Sequence, residues 1–243
     1  DDAMELGGIY PGLAYGALIA ATLGEGDVAA ADDAIAAGWQ HVTVQPKMTA
    51  IWLVYRAYAA MASGDLAEAR RWAADAVAAT RGFHQALALT TRAGVAIAEG
   101  EPEQAYRDAH EALAIALRTK AYGCAADTFE CLALLAIGAA GHTEAARFYG
   151  AAHALRQRAG QVRFEIFDAI HAAAMTALRD AMGDEDYDSA WAEGAMLSTE
   201  EAIAYAQRRR GKRKRPTSGW ASLTPTECDV VRLVSEGLAN NDI

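Results

Sequence analysis

Four short turns set the period of this chain. Gly26-Asp27, Gly64-Asp65, Gly100-Glu101 and Gly141-His142 follow one another at spacings of 38, 36 and 41 residues, and an alanine stands five residues after each glycine: Ala31, Ala69, Ala105 and Ala146. The flanking stretches, such as AIWLVYRAYAAMASGD before a turn and LAEARRWAADAVAAT after it, carry their apolar residues at helical rather than alternating spacing. Glycine ends a helix in the left-handed conformation without steric cost. The alanine recurs at a fixed place on the helix that follows each turn. One such hairpin cannot cover its own apolar face, so a periodic series of them must stack. The pattern predicts an all-α fold, with a helical-hairpin repeat, an α-solenoid, over residues 1–160. The competing reading is an irregular helical bundle.

Composition sharpens the picture. Apolar residues make up 53% of the 243 residues, and alanine dominates them, so the expected core is large in area but built of small side chains. Leu6 to Gly24 lacks charge over a length that could span a bilayer. Pro11, the glycines at 7, 8, 12, 16 and 24, and the ending in the same repeated turn favour a soluble hairpin instead. The cysteines at 124, 131 and 228 have no metal-like spacing; Cys124 and Cys131, seven apart, read as small buried hydrophobes on one helix face. A reducing, cytoplasmic setting is expected. Trp52, Tyr55, Trp72 and Tyr106 could line a groove, but at helical spacing they read as core.

After the last of the four turns the sequence changes character. HTEAARFYGAAHALRQRAG and VRFEIFDAIHAAAMTALRDAM read as helices, and YDSAWAEGAMLSTEEAIAYAQ carries Ser198 and Glu201 at capping-box spacing. Residues 161–207 are therefore expected to cap the repeat. Residues 208–219 form a basic linker: RRRGKRKR, Arg208 to Arg215, has seven cations in eight positions and leads into Pro216, Ser218 and Gly219. The charge is divided accordingly. Residues 1–207 hold 14 Lys/Arg against 28 Asp/Glu, whereas residues 208–243 hold 8 against 4.

The last 24 residues, 220–243, open like a helix and close like the start of another. Thr224, Pro225 and Glu227 supply a capping box with proline at the first helical position. Cys228, Val231, Val234 and Leu238 follow at helical spacing, and Gly237 ends the helix before Asn240 and Asn241 begin a second.

Three resemblances join these observations. The glycine turns, with the alanine five residues on, resemble a tetratricopeptide (TPR) repeat. The longer spacing and missing aromatic and proline positions make the match TPR-like only. Leu223, Thr224, Glu227, Gly237, Leu238, Asn240 and Ile243 stand where the LuxR-type DNA-binding domain has its opening L-T-x-x-E and its G-L-(small)-N-x-x-I. The A-A-R-x-x-G-A-A-x-A-L-R run ending at Arg156, and the W-x-E-G run from Trp191, resemble the segment preceding that domain in large multidomain bacterial regulators. The resemblance implies a regulator whose helix-turn-helix is truncated in this chain. The chain begins at Asp1 without methionine and ends inside the motif, so a piece of a longer protein is expected. In such regulators a nucleotide-binding module lies upstream; no G-x-x-x-x-G-K-[ST] occurs here.

The candidate sites follow from this reading. Arg208, Arg209, Arg210, Lys212, Arg213, Lys214 and Arg215 suit DNA phosphates, which reward cations with counterion release but carry no sequence information. Asn240 and Asn241, at a helix N-terminus, suit phosphate oxygens too. No catalytic residue, metal site or cofactor is expected: the six histidines have no ligand spacing, and the carboxylates at 184, 185, 186 and 188 read as a solvated turn. The expected function is regulated DNA binding without enzymatic chemistry, with no membrane contact. The helical repeat would sense a protein partner, a ligand or the upstream nucleotide-binding module. The alternative is a TPR-like interaction scaffold with no sequence-specific DNA binding.

Overall fold

The computed structural model describes residues 9–42 and 46–209. These form eleven α-helices and one 3-10 turn, with no strand among the described residues. The helices are α1 (Ile9–Gly24), α2 (Val28–Val42), α3 (Pro46–Ala62), α4 (Leu66–Ala79), α5 (Phe83–Ala98), α6 (Pro102–Thr119), α7 (Ala125–Gly138), α8 (His142–Ala159), α9 (Asp168–Met182), α10 (Asp184–Ala195) and α11 (Thr199–Arg209). The 3-10 turn, Glu165–Phe167, lies between α8 and α9. Residues 1–203 form one compact unit. Residues 204–209, the end of α11, are the described part of a second. No described helix is long and apolar enough to cross a membrane.

The four hairpins are α1–α2, α3–α4, α5–α6 and α7–α8. At the first three turns, Gly26, Gly64 and Gly100 take φ of 72°, 81° and 75°. The next amide reaches back five residues: Asp27 N–H to Thr22 O, Asp65 N–H to Ala60 O, and Glu101 N–H to Ala96 O, at 2.8 to 2.9 Å. This bond satisfies a carbonyl that the helix end would otherwise leave unpaired. The Asp27 and Asp65 carboxylates then cap α2 and α4, accepting from Ala30 N–H and Glu68 N–H at 3.0 Å.

The fourth turn is shifted by one residue from the sequence reading. Ala140, not Gly141, holds the left-handed position, at φ 54°, and Gly141 N–H donates to Ala136 O at 2.8 Å. Gly141 therefore occupies the place of Asp27 and Asp65, at φ −90° and without a side-chain cap. The hairpin contact falls on Ala145 by the same shift. Ala145 and Ala146 are both fully buried, as are Ala31, Ala69 and Ala105. An alanine in this conformation costs on the order of 1 kcal/mol, which the hydrogen-bonded turn offsets.

Odd-numbered helices touch along one row: α1 with α3, α3 with α5, and α5 with α7. Polar pairs fix their register. Thr90 on α5 and Thr128 on α7 share a buried hydroxyl hydrogen bond of 2.7 Å, and the Thr91 hydroxyl donates to Tyr58 Oη at 3.3 Å. Within the third hairpin, Arg92 reaches across to Asp108 with two bonds of 2.7 and 2.8 Å.

After α8 the chain does not continue the stack. Residues 161–167 return to the first two hairpins, where Phe164, Ile166 and Phe167 pack on the core that holds Leu23, Trp52 and Tyr58. Helices α9 and α10 follow, and α10 lies along α8. That contact is made by backbone. A Cβ at Gly150 would fall 2.1 Å from Trp191 O, and one at Gly194 would fall 2.0 Å from Arg147 O. The glycines of the two family-like runs thus face each other, and Arg147 Nε adds a 2.6 Å bond to Glu193.

Candidate nucleic-acid interface

α11 is a capped helix. Ser198 N–H donates to Glu201 Oε2 at 2.8 Å and Glu201 N–H donates to Ser198 Oγ at 3.2 Å. That is the reciprocal capping box expected from their spacing. The neighbouring Glu200 accepts from Tyr122 Oη at 2.7 Å and from Lys120 Nζ at 3.3 Å, so the helix start is fastened to the α6–α7 connection. These partners are exposed, so each bond is weak on its own. They hold the Glu200 carboxyl below its ordinary value, Tyr122 first and Lys120 second.

Arg208 is exposed in the last turn of α11, and Arg209 ends that helix. Cations in a last helical turn are favoured by the helix dipole. Arg210, Lys212, Arg213, Lys214, Arg215, Asn240 and Asn241 lie outside the described residues, as do Thr224, Glu227 and Cys228. The structure therefore positions one predicted phosphate-contact side chain, Arg208, and brings none of the others to it.

A cluster that spacing did not reveal lies at the far end of the repeat. Glu130 on α7 is 14% exposed and receives both Arg156 and Arg163. Arg163 reaches it with Nη2 at 2.7 Å and Nε at 3.2 Å. Arg156, 8% exposed, also pairs with Asp127. His171 on α9 stands against the Tyr149 ring, with Nδ1 3.7 Å from Glu130. Burial would raise the Glu130 carboxyl, but hydrogen bonds and charge from Arg163 and Arg156 outweigh it and hold the group below its ordinary value. Burial, reinforced by Arg163, lowers His171 and favours the neutral ring. Two cations thus share one carboxylate, an arrangement that fixes geometry.

The remaining candidates are structural. Trp52 is fully buried; Tyr55 and Trp72 pack partly against the same core. Arg56 lies over the rings of Trp39 and Trp72, at 4.9 and 3.9 Å. Cys124 precedes α7 and Cys131 lies within it; both are buried, free thiols. Asp184 and Asp188 pair with Arg179. No group of His, Cys, Asp and Glu among the described residues could hold a metal ion.

No protein-family model matches the chain, and no solved structure matches it significantly. Curated relatives do. Over 241 residues, 99% of its length, the chain is 56% identical to proteins of Mycobacterium tuberculosis (strains H37Rv and CDC 1551) and Mycobacterium bovis. Each bears the provisional name of HTH-type transcriptional regulator. The chain spans only 27% of the length of these relatives, so it is a homologue of one region of them.

Proposed function

We propose that the chain is the helical-repeat and linker region of a DNA-binding transcriptional regulator of LuxR type. The identity of 56% over 241 residues to proteins named as HTH-type regulators carries this reading. In it, residues 1–160 are TPR-like hairpins that receive a protein partner or an upstream nucleotide-binding module. Residues 161–207 cap them, residues 208–219 contact DNA phosphates, and residues 220–243 begin the helix-turn-helix. Signal passes as a change in binding, in the cytoplasm, and no catalytic step is involved. Arg208–Arg210 and Lys212–Arg215 supply affinity, and Asn240 and Asn241 contact phosphates at the start of the second helix. Bases would be read by side chains of the recognition helix.

The test uses the whole regulator. Replacing the seven cations of residues 208–215 with serine should weaken promoter and scrambled duplexes about equally. The slope of log affinity against log salt should become shallower by about 0.9 for each phosphate that is no longer neutralised. Weakening confined to the promoter would mean that the linker reads bases, and an unchanged slope would remove it from the interface.

A further inference from the structure

We propose that residues 161–167 are a releasable strap, seated where an external segment of the same chemistry, an arginine followed by a phenylalanine, would bind. It rests on the reading of the repeat as an interaction module.

The strap is held almost wholly by side chains. Phe164 and Phe167 both stand edge-on to Tyr58, with centroids 6.1 and 5.3 Å away and planes near perpendicular. Phe164 also lies 3.8 Å from the place a Cβ would take on Gly24, and Glu165 lies 3.6 Å from that of Gly26. Arg163 forks onto Glu130, and Gln161 Nε2 donates to Gly123 O at 3.2 Å. The strap's own backbone makes little use of the repeat. Gln161 N–H bonds back to Arg156 O at the end of α8, and Phe167 N–H bonds to Phe164 O within the strap. Among the described residues, no backbone hydrogen bond joins 162–167 to α1–α7.

Backbone hydrogen bonds to the repeat would anchor the segment independently of its side chains. Here Phe164, Ile166 and Phe167 are only half-buried, and Val162 is 87% exposed. The receiving surface, by contrast, is finished. The Tyr58 hydroxyl already accepts from Thr91, and Glu130 keeps Arg156 as a second cation. Lifting the strap therefore uncovers an aromatic seat and a carboxylate without breaking a helix. Because the strap is tethered, its effective concentration is on the order of millimolar. A free segment of micromolar affinity is thus excluded by about a hundredfold to a thousandfold until the strap is drawn away.

The probe is a labelled peptide of residues 160–168, GQVRFEIFD. It is titrated against the 243-residue chain and against a release variant carrying Arg163→Ala, Phe164→Ala and Phe167→Ala. Binding at least tenfold tighter to the release variant is expected, with loss when the peptide itself carries R163A and F164A. A release variant that keeps its helical circular dichroism and binds no peptide overturns the proposal. A second measurement covers a variant that fails to fold: trypsin cleavage after Arg163 in the unmodified chain, followed by mass spectrometry across low urea. Cleavage that barely depends on urea shows local release. Cleavage that follows the urea dependence of global unfolding makes the strap a permanent brace and overturns the idea. Neither assay contains DNA, so their failure leaves the regulator reading untouched.

Discussion

The contact between α8 and α10 can be tested by adding one methyl group. Replacing Gly150 with alanine places a Cβ 2.1 Å from Trp191 O, 2.9 Å from Trp191 C and 3.1 Å from Ala195 N. Each of these is backbone, so no side chain can swing aside. Restoring ordinary contact at about 3.4 Å requires the helices to part by about 1.3 Å. A gap of that size forfeits about half or more of the dispersion well for atoms along the seam. Overpacking costs about 1–3 kcal/mol in general; with no yielding partner we expect about 3 kcal/mol, or a fall in Tm of about 6–12 °C for a chain of this size. Urea unfolding followed by far-UV circular dichroism measures it. Gly138→Ala, an exposed helical position with nothing within 4 Å, is the control and should be neutral or stabilise by up to about 1 kcal/mol. Gly194→Ala should resemble Gly150→Ala. The double variant should cost well under the sum, since both methyl groups open the same gap. A Gly150→Ala chain within about 0.5 kcal/mol of the parent would show that the two helices are not held at backbone distance.

Other outcomes follow from the same geometry. Ala140→Gly should stabilise the chain by about 1 kcal/mol, seen as a higher urea midpoint, because it relieves the one left-handed alanine among the described turns; Gly141→Ala should not be harmful there. Glu130→Gln should destabilise by about 3 kcal/mol, the low end for a broken buried pair, because Arg156 keeps Asp127 and Arg163 keeps Asp168. It should also flatten the acid limb. The folded Glu130 carboxyl lies below its ordinary value of 4.5, so its contribution is complete above that pH and is lost as pH falls through the folded value. Unfolding free energy measured between pH 7 and pH 3 compares the two slopes. Finally, the 243-residue chain alone should bind promoter and scrambled duplexes within tenfold of each other in a competition assay at near-physiological salt, as expected of phosphate contact without base readout.

The hairpins were readable because glycine is the residue that accepts positive φ cheaply, so Gly26, Gly64 and Gly100 mark their turns unmistakably. The fourth turn misled by one position because glycine at 141 follows an alanine that takes the strained place instead. Gly150 and Gly194 were visible as parts of two runs, but only packing shows that those runs answer each other. The Glu130 cluster could not be read at all. Its arginines stand 26 and 33 residues away, and no periodicity relates a carboxylate to a cation at such distances. Of the candidate DNA contacts, composition alone singled out the basic run, and Arg208 is the one side chain of it that the structure positions.

The return of residues 161–167 to the first hairpins bears on how the chain acquires its fold. Stacked hairpins fold from neighbouring contacts, so partial stacks are viable and any unit can nucleate. A contact between Gly24 and Phe164, roughly 140 residues apart, obeys a different rule. Closing so long a loop in an unstructured chain costs about 4 kcal/mol, but stacked hairpins have already brought the ends within reach. The closure therefore forms late and at little cost, and only on a stack with its full complement of hairpins. Losing a hairpin, or inserting one, would leave Phe164 short of its seat or beyond it. In a chain synthesised from its N-terminus, this contact becomes available only after all four hairpins have been made.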